Sequence, residues 1–213
     1  MNAGRIAHSY RWLEYAAFGH ALEHARFDFL SRAATARRVL ILGEGDGRFL
    51  ARFLRCNTHA RVAVIDASRR MIQLARQRTP IAERSRVEFH HIDAVVDPLP
   101  EGEFDLVVSH FFLDILDCRD AQAVILKINA ALDPGAIWLI SEFQVPAGGI
   151  GRLHARLWLA AMYAFFGAAT GLQTRKLPPY RPLLERCGLA EIQHREHRFG
   201  LIRSQVWRKP AVE

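Results

Sequence analysis

Cysteine is scarce in this chain, with Cys56, Cys118 and Cys187 scattered through 213 residues and no metal-like pair among them. So few thiols, odd in number, exclude a disulfide framework and a cysteine zinc site. They read as reduced thiols, as expected of a cytoplasmic protein. Long hydrophobic runs are missing as well. The longest apolar stretch, Leu157 to Ala169, is about 13 residues, too short to span a bilayer. The N-terminus is polar throughout and lacks the apolar centre of a secretory signal, so none is expected. Repeats and low-complexity tracts are absent too. The formal net charge is +7. However, Arg37/Arg38, Arg69/Arg70 and Arg84/Arg86 are scattered, mostly at strand starts and on helix faces, where solvation explains them. No basic cluster interleaved with aromatics is available to stack bases, so nucleic acid is not an expected partner. What remains is an ordinary globular composition, 50% hydrophobic and 24% charged, long enough for one well-buried core.

Residues 39 to 50, VLILGEGDGRFL, carry most of the functional information. Four apolar residues run into glycines at 43, 45 and 47, and a periodic apolar pattern follows. The pattern reads as a buried parallel strand, a tight turn and a helix. Glycine serves where the backbone takes positive φ or must approach a ligand closely. The N–H groups that open a helix suit an anionic group. A second strand, Arg61 to Ile65, ends at Asp66, whose carboxylate can accept both hydroxyls of a ribose. The spacing argues against a dinucleotide. In the NAD fingerprint the third glycine comes one residue later, where Arg48 stands here. Two more strand ends supply Asp93 (VEFHHID) and Ser109-His110 (EFDLVVSHFF) to the same rim. In doubly wound sheets that rim is where ligands bind.

This order of features resembles the class I S-adenosylmethionine-dependent methyltransferases over roughly residues 37 to 208. DPLPEGEFDLVVS and LDPGAIWLISEF also match that family's fourth and fifth strands. The resemblance implies S-adenosyl-L-methionine as cofactor and a small-molecule acceptor as substrate. It implies that Gly43, Glu44, Gly45, Asp46 and Gly47 form the loop around the methionine end. Asp66 would hold the ribose, with Ala67 and Ser68 beside it and Met71 against the adenine. Asp93 and Ala94 would meet the adenine amino group, and Ser109 and His110 would border the transferred methyl. One departure stands out: the acid usually found two residues before the first glycine is Ile41. Glu44 or Asp46 are the loop acids available to replace it. The G-x-G-D-G form is also similar to spermidine synthases, but VVSHFF lacks their pair of acids. It also lacks the tetrad of amino-group nucleic-acid methyltransferases.

The expected fold is α/β: a doubly wound, seven-stranded, mostly parallel sheet with an antiparallel C-terminal hairpin. Residues 1–36 read as a helical segment, with apolar positions including Trp12, Leu13, Ala16 and Ala17 and a break at Gly19. Residues 37–213 form the methyltransferase domain. The pattern places a helix over Arg119–Leu132, stopped by Asp133-Pro134-Gly135 before a strand over Ala136–Phe143. Between the fifth strand and the hairpin lies a helical insertion, residues 146–180. Its glycines 148, 149 and 151 give a flexible start. Its aromatic run, with Trp158, Met162, Tyr163, Phe165 and Phe166, reads either as a helix packed on the sheet edge or as a lid over a flat, lipophilic acceptor. An interfacial membrane helix is a weaker third reading.

His20-Ala-Leu-Glu23-His24 matches the H-x-x-E-H zinc pattern. A catalytic zinc also needs a third ligand and a matching fold, so no metal is expected. Methyl transfer requires no triad, because the sulfonium already activates the methyl. A hydroxyl or acidic carbon acceptor additionally needs proton removal. His110 and Asp114 are the candidates for that role. A cofactor-binding protein without catalysis is the first alternative and an RNA methyltransferase a weaker second, and the sequence leaves the oligomeric state open.

Overall fold

Val39, Leu40, Ile41 and Leu42 are each at most 1% exposed, and they do not all bury on the same side. Val39 and Ile41 enter one apolar layer, Leu40 and Leu42 the other. A strand that is apolar on both faces needs a cover on both, which places it at the centre of a sandwiched sheet. The computed structural model describes residues 20–146, 148–170 and 177–211, without the side chains of 161–170. Its strands are β1 (Arg38–Leu42), β2 (Arg61–Asp66), β3 (Val87–His91), β4 (Phe104–His110), β5 (Leu132–Phe143), β6 (Ala190–His197) and β7 (Ile202–Arg208). They form a seven-stranded sheet in the order β3-β2-β1-β4-β5-β7-β6. β1 to β5 pair in parallel. β7 runs antiparallel to both β5 and β6.

The helices are α1 (Ala21–Phe27), α2 (Arg48–Cys56), α3 (Arg69–Arg78), α4 (Cys118–Ala131), α5 (Gly149–Thr170) and α6 (Tyr180–Arg186). On α2 the buried residues Phe49, Leu50, Phe53 and Leu54 make one continuous stripe. It packs on Val39, Ile41, Val64 and Val108. On α4, Val124, Ile125 and Ile128 cover the opposite face, with Tyr180 and Leu184 of α6 and the buried Trp138 and Trp207. The expected doubly wound sheet and its C-terminal hairpin are therefore present.

Several local expectations change. The helical reading of residues 1–36 becomes, within the described residues, the short α1 and a 3-10 turn at Leu30–Ala33. Trp12, Leu13, Ala16, Ala17 and Gly19 lie outside the described residues. Asp133-Pro134-Gly135 does not separate helix from strand. α4 stops at Ala131, and these residues lie inside β5. The register jumps from Phe104↔Leu132 to Leu106↔Ile137, so they form an irregularity in the strand. Pro134, which has no N–H, falls in that gap in the β4 pairing, while Gly135 at φ 80° turns its N–H to the Lys209 carbonyl at 3.0 Å. Gly151, read as part of a flexible start, is instead a close-packing glycine, since a Cβ on it would collide with the Phe199 carbonyl. Arg86 is no solvated cation. Its guanidinium donates to the carbonyls of Leu54 (3.0 Å), Asn57 (2.7 Å) and Ala60 (3.0 Å), closing the C-terminus of α2.

The N-terminal segment is tied to the sheet unit by one buried side chain. Asn57 Nδ2 donates to the carbonyls of Ala33 (3.0 Å) and Ala36 (2.8 Å). Its Oδ1 accepts from the N–H groups of His59 (3.1 Å) and Ala60 (2.8 Å). Replacing Asn57 with leucine keeps the branched outline of the side chain, removes its polar atoms and strands four backbone groups. At about 1–3 kcal/mol for each buried unsatisfied group, Asn57→Leu is expected to lose at least ~3 kcal/mol in urea unfolding. A loss under ~1 kcal/mol would show that water replaces the side chain.

Candidate functional site

After Leu42 the backbone passes through Gly43, Gly45 and Gly47 at φ 59°, 67° and 85°. The three glycines answer to different constraints. A Cβ on Gly43 would lie 2.7 Å from the Phe112 ring, and one on Gly47 would lie 2.6 Å from the Cα of Ala75. On Gly45 a Cβ would meet nothing within 4 Å, because that residue looks into open space. Gly47 is also the N-cap of α2 and has no side chain to cap with. Glu44 takes over, its Oε1 accepting the Leu50 N–H at 2.9 Å. The far side of the loop is pinned by Arg78, which donates to the Asp46 carbonyl (2.5 Å) and pairs with its carboxylate (2.7 Å). Arg48 pairs with the same carboxylate at 3.1 Å. Burial works to raise the Asp46 pKa, but the two arginines outweigh it and hold the carboxyl below its usual range.

The open space is a cavity of about 930 Å³ outside the carboxyl ends of β1 to β4. It sits where the chain order reverses between β1 and β4, the switch point of an open α/β sheet. Asp66 stands on its floor. Oδ2 accepts the Gly45 N–H at 3.3 Å and Oδ1 the Ser68 N–H at 2.8 Å. Each oxygen keeps a lone pair for a ligand. Burial raises the carboxyl pKa, and the two N–H groups moderate the rise. Ala67 and Met71 line the same wall. Across from them Asp93 and Ala94 line the cavity on a loop turned by the Asp93 carboxylate, which accepts the Val95 N–H at 2.9 Å. Lys127 of α4 holds that loop from behind, donating to the carbonyls of Ala94, Val95 and Asp97 at 2.8–3.0 Å.

The mouth of the cavity is built by the segment after β4. Phe111 sits at φ 55°, a left-handed conformation unusual for an aromatic residue. Glu142, buried at the end of β5, supports this kink. Its carboxyl accepts the N–H groups of Phe112 (3.1 Å), Leu113 (2.9 Å) and Asp114 (3.2 Å). Burial, reinforced by the neighbouring Asp114, pushes the Glu142 pKa well above the carboxylate range. His110 faces the cavity and packs edge-on against Phe49, ring centroids 4.9 Å apart. Its Nδ1 is 2.9 Å from Ser141 Oγ, which itself donates to the Ala25 carbonyl at 2.9 Å. That arrangement favours a proton on Nδ1 and a lone pair on Nε2. Among the described residues Nε2 is buried without a hydrogen-bond partner. Burial, helped by the positive charge of Arg26, lowers the imidazole pKa to about 3.

The residues singled out in the sequence divide accordingly. Gly43, Glu44, Gly45, Asp46, Asp66, Ala67, Met71, Asp93, Ala94 and His110 line one cavity. Gly47 packs behind it against Ala75, and Ser68 caps α3 by accepting the Met71 N–H at 3.4 Å. Ser109 does not border the cavity. It is buried in β4, where its Oγ accepts the Trp138 indole N–H at 2.9 Å. Asp114 is buried on the Glu142 side, away from the lining, so it is not placed as a base. The reason is the kink at Phe111, which the sequence does not announce. Sequence reasoning also missed Arg26, Phe49, Lys127 and Glu142. Only Glu142, an acid closing the apolar run IWLIS, left a signal.

An open parallel sheet with a glycine turn at its switch point and acids at the next two strand ends defines a Rossmann-like nucleoside-cofactor fold of the methyltransferase type. Comparison with known proteins agrees. A family model described as "Methyltransferase domain" matches residues 39–135. The ubiquinone/menaquinone biosynthesis C-methyltransferase UbiE of Pseudomonas putida is 31% identical over 160 residues, 73% of this chain and 60% of that protein. The chain thus spans less than two thirds of the curated relatives it matches. Among solved structures, an O-methyltransferase family protein from Burkholderia thailandensis superposes with a TM-score of 0.68 at 24% identity, covering 98% of this chain and 63% of the other. The N-methyltransferase NodS of Bradyrhizobium japonicum, in complex with S-adenosyl-L-homocysteine, gives 0.64 at 18% identity, covering 89% and 88%. The chain belongs to the class I S-adenosylmethionine-dependent methyltransferase family.

Two measurements test this anatomy. Gly47→Ala drives a Cβ into the α3 backbone and should lower the melting temperature sharply. Gly45→Ala has room, so it should leave a folded protein, less stable by the ~1–2 kcal/mol of left-handed strain, with a methyl group intruding on the cavity. Equal melting temperatures for the two variants would contradict the packing. The second measurement concerns Glu44. Desolvation pushes its carboxyl up to about 8, against the lowering effects of the Leu50 N–H and Arg26. An acid whose pKa is raised on folding stabilises fully below its unfolded value, and that stability is lost as the pH rises through the folded value. Ligand-free protein should therefore lose stability between about pH 4.5 and 8. Glu44→Gln should lose measurably less in urea titrations across that range, and parallel curves for the two proteins would refute the shift.

Proposed function

We propose that this protein is an S-adenosylmethionine-dependent methyltransferase acting on a small, apolar or aromatic acceptor. The observation that carries the reading is the composition of a single cavity. One end is a glycine turn flanked by Glu44, Asp66 and Asp93, and the other is lined by Phe49, Phe111, Phe112, Ile115 and a neutral His110. The residues present fit the cofactor. Gly45 leaves the backbone bare toward open space, and both Asp66 oxygens keep an accepting lone pair for ribose hydroxyls. Met71 and Ala94 offer apolar surface for adenine.

When bound, the cofactor supplies a methyl group already activated by a sulfonium. The protein's part is to align the acceptor with it. Such positioning can supply about 7–11 kcal/mol of the barrier. The aromatic mouth favours a flat acceptor. The UbiE relative is named for C-methylation in ubiquinone and menaquinone biosynthesis, and a quinol-like ring is an acceptor of the kind this wall suits. His110, with a pKa of about 3, stays neutral at physiological pH. Its Nε2 can accept a hydrogen bond from an acceptor hydroxyl and orient it, but it is a weak base. Of the segment 146–180, the described helix α5 is assigned to a layer behind the cavity mouth. Ala155 and Leu159 of α5 pack on Leu22, Ala25 and Phe143, with Trp158 and Phe111 at the edge of the same cluster. None of the described α5 side chains lines the cavity itself. Among the described residues no helix is long and apolar enough to cross a membrane.

A cofactor-binding protein without turnover is the second reading, favoured by Asp114 facing away and by the low basicity of His110. Labelled S-adenosylmethionine incubated with metabolite extracts separates the two: transfer of label supports catalysis, while tight binding without transfer supports the binder. In either case S-adenosyl-L-homocysteine should raise the melting temperature and NADH should not. Asp66→Ala removes charge-assisted hydrogen bonds worth about 1.5–3 kcal/mol. Affinity for S-adenosyl-L-homocysteine should fall roughly 10- to 150-fold by calorimetry. Unchanged affinity in a folded variant would refute the ribose assignment.

A further inference from the structure

Arg26 reaches the cavity from α1, outside the segment matched by the family model. Its guanidinium carbon lies 5.3 Å from the centre of the Phe111 ring. Among the described residues, no hydrogen bond or ion pair engages its five N–H donors. The guanidinium thus keeps its donors open toward the cavity, where a ligand's acceptor can engage them. Its charge is nonetheless felt by two cavity residues, Glu44 and His110.

Glu44 is the complementary feature. Its side chain lies in the cavity wall and spends Oε1 on the Leu50 N–H. No cation is paired with the carboxyl: no salt bridge to Glu44 exists among the described residues, although Asp46 in the same loop has two. Asp46 is thus committed to Arg48 and Arg78 and unavailable as a ligand group. The position two residues before the first glycine holds Ile41, which is 1% exposed and packed in the core.

We infer that Arg26 and Glu44 form a clamp for an α-amino acid zwitterion, Arg26 taking the carboxylate and Glu44 the ammonium, and that Glu44 replaces the acid missing at Ile41. The inference rests on the cofactor reading above and deepens it by assigning the methionine end. A carboxylate suits Arg26 because two parallel N–H donors match its two oxygens. An ammonium suits Glu44 because, among the described residues, nothing donates to Oε2. Burial raises the Glu44 pKa, the Leu50 N–H on α2 and Arg26 on α1 lower it, and the carboxylates of Asp46 in the loop and Asp66 on β2 add smaller upward pushes. Glu44 is therefore protonated in the empty site at neutral pH, with a pKa of about 8. Receiving an ammonium favours the ionised form, so binding expels a proton. The complex holds fewer protons than the free protein, and affinity rises with pH up to about 8.

The test uses two stable probes that share the nucleoside. S-adenosyl-L-homocysteine carries the amino acid group, and 5′-methylthioadenosine lacks it. Calorimetry of folded Arg26→Gln should show roughly 10- to 150-fold weaker binding of the first and unchanged binding of the second. At pH 6.5, titrations of the wild type in buffers of different ionisation enthalpy should report the release of roughly one proton with S-adenosyl-L-homocysteine and none with 5′-methylthioadenosine. Glu44→Gln, which keeps an acceptor for Leu50, should abolish that release. Arg26→Gln affecting neither probe assigns its donors to the acceptor molecule and overturns the clamp. Equal weakening of both probes, or proton release surviving in Glu44→Gln, overturns it as well. If the wild type binds neither probe, the cofactor reading itself falls, which is a result distinct from these.

Discussion

The covering of β1 on both faces is the constraint from which the rest of the molecule follows. Val39 and Ile41 need α2 on one side, and Leu40 and Leu42 need α4 on the other. With helices required on both faces, the chain must leave β1 in one direction toward β2 and β3 and later return on the opposite side through β4 and β5. That reversal leaves a crevice above the carboxyl end of β1 that no helix fills. The glycine turn follows from the same geometry. Gly43 and Gly47 let the loop pass between Phe112 and Ala75 without a Cβ. Gly45 is then the residue left facing the gap.

The polar groups around the crevice form two populations. One is structural and satisfied within the protein. Asp46 with Arg48 and Arg78, Lys127 with three carbonyls, and Glu142 with three N–H groups hold loops in place. The other keeps unused hydrogen-bonding capacity: Arg26, Glu44, Asp66 and His110 Nε2. A folded chain gains nothing from capacity it does not use, since desolvating a polar group without a partner is unfavourable. The opposed shifts of Glu44 and His110, one up and the other down, express the same cost. Both groups are pushed toward their neutral forms in the empty cavity.

The strand-and-glycine grammar was legible because it rests on local periodicity. β1, β2 and β4 differ by at most one residue from the runs read in the sequence; Asp66 and His110 close their strands, and Asp93 follows β3 by two residues. Elements that depend on partners were less legible. Asp133-Pro134-Gly135 has the chemistry of a helix stop, yet it lies within β5 because β4 and β7 pair on either side of that strand. Asp114 sits four residues from His110 and suggested a shared site. The left-handed kink at Phe111, held by Glu142 from another strand, turns it away from the cavity.

From its own order of residues the chain determined the doubly wound sheet, the glycine loop and the family to which it belongs. Each is encoded in contiguous runs whose backbone preferences and apolar spacing act over a few residues. Only the tertiary structure decided which polar groups are committed and which are free. Ser109 is consumed by Trp138, and Asp46 by Arg78 and Arg48. Arg26, 18 residues before Glu44, joins the same cavity wall because Leu22 and Ala25 of α1 pack against Phe143, Leu201 and Ile202. Availability for binding depends on what distant segments already satisfy, and that is settled when the layers close.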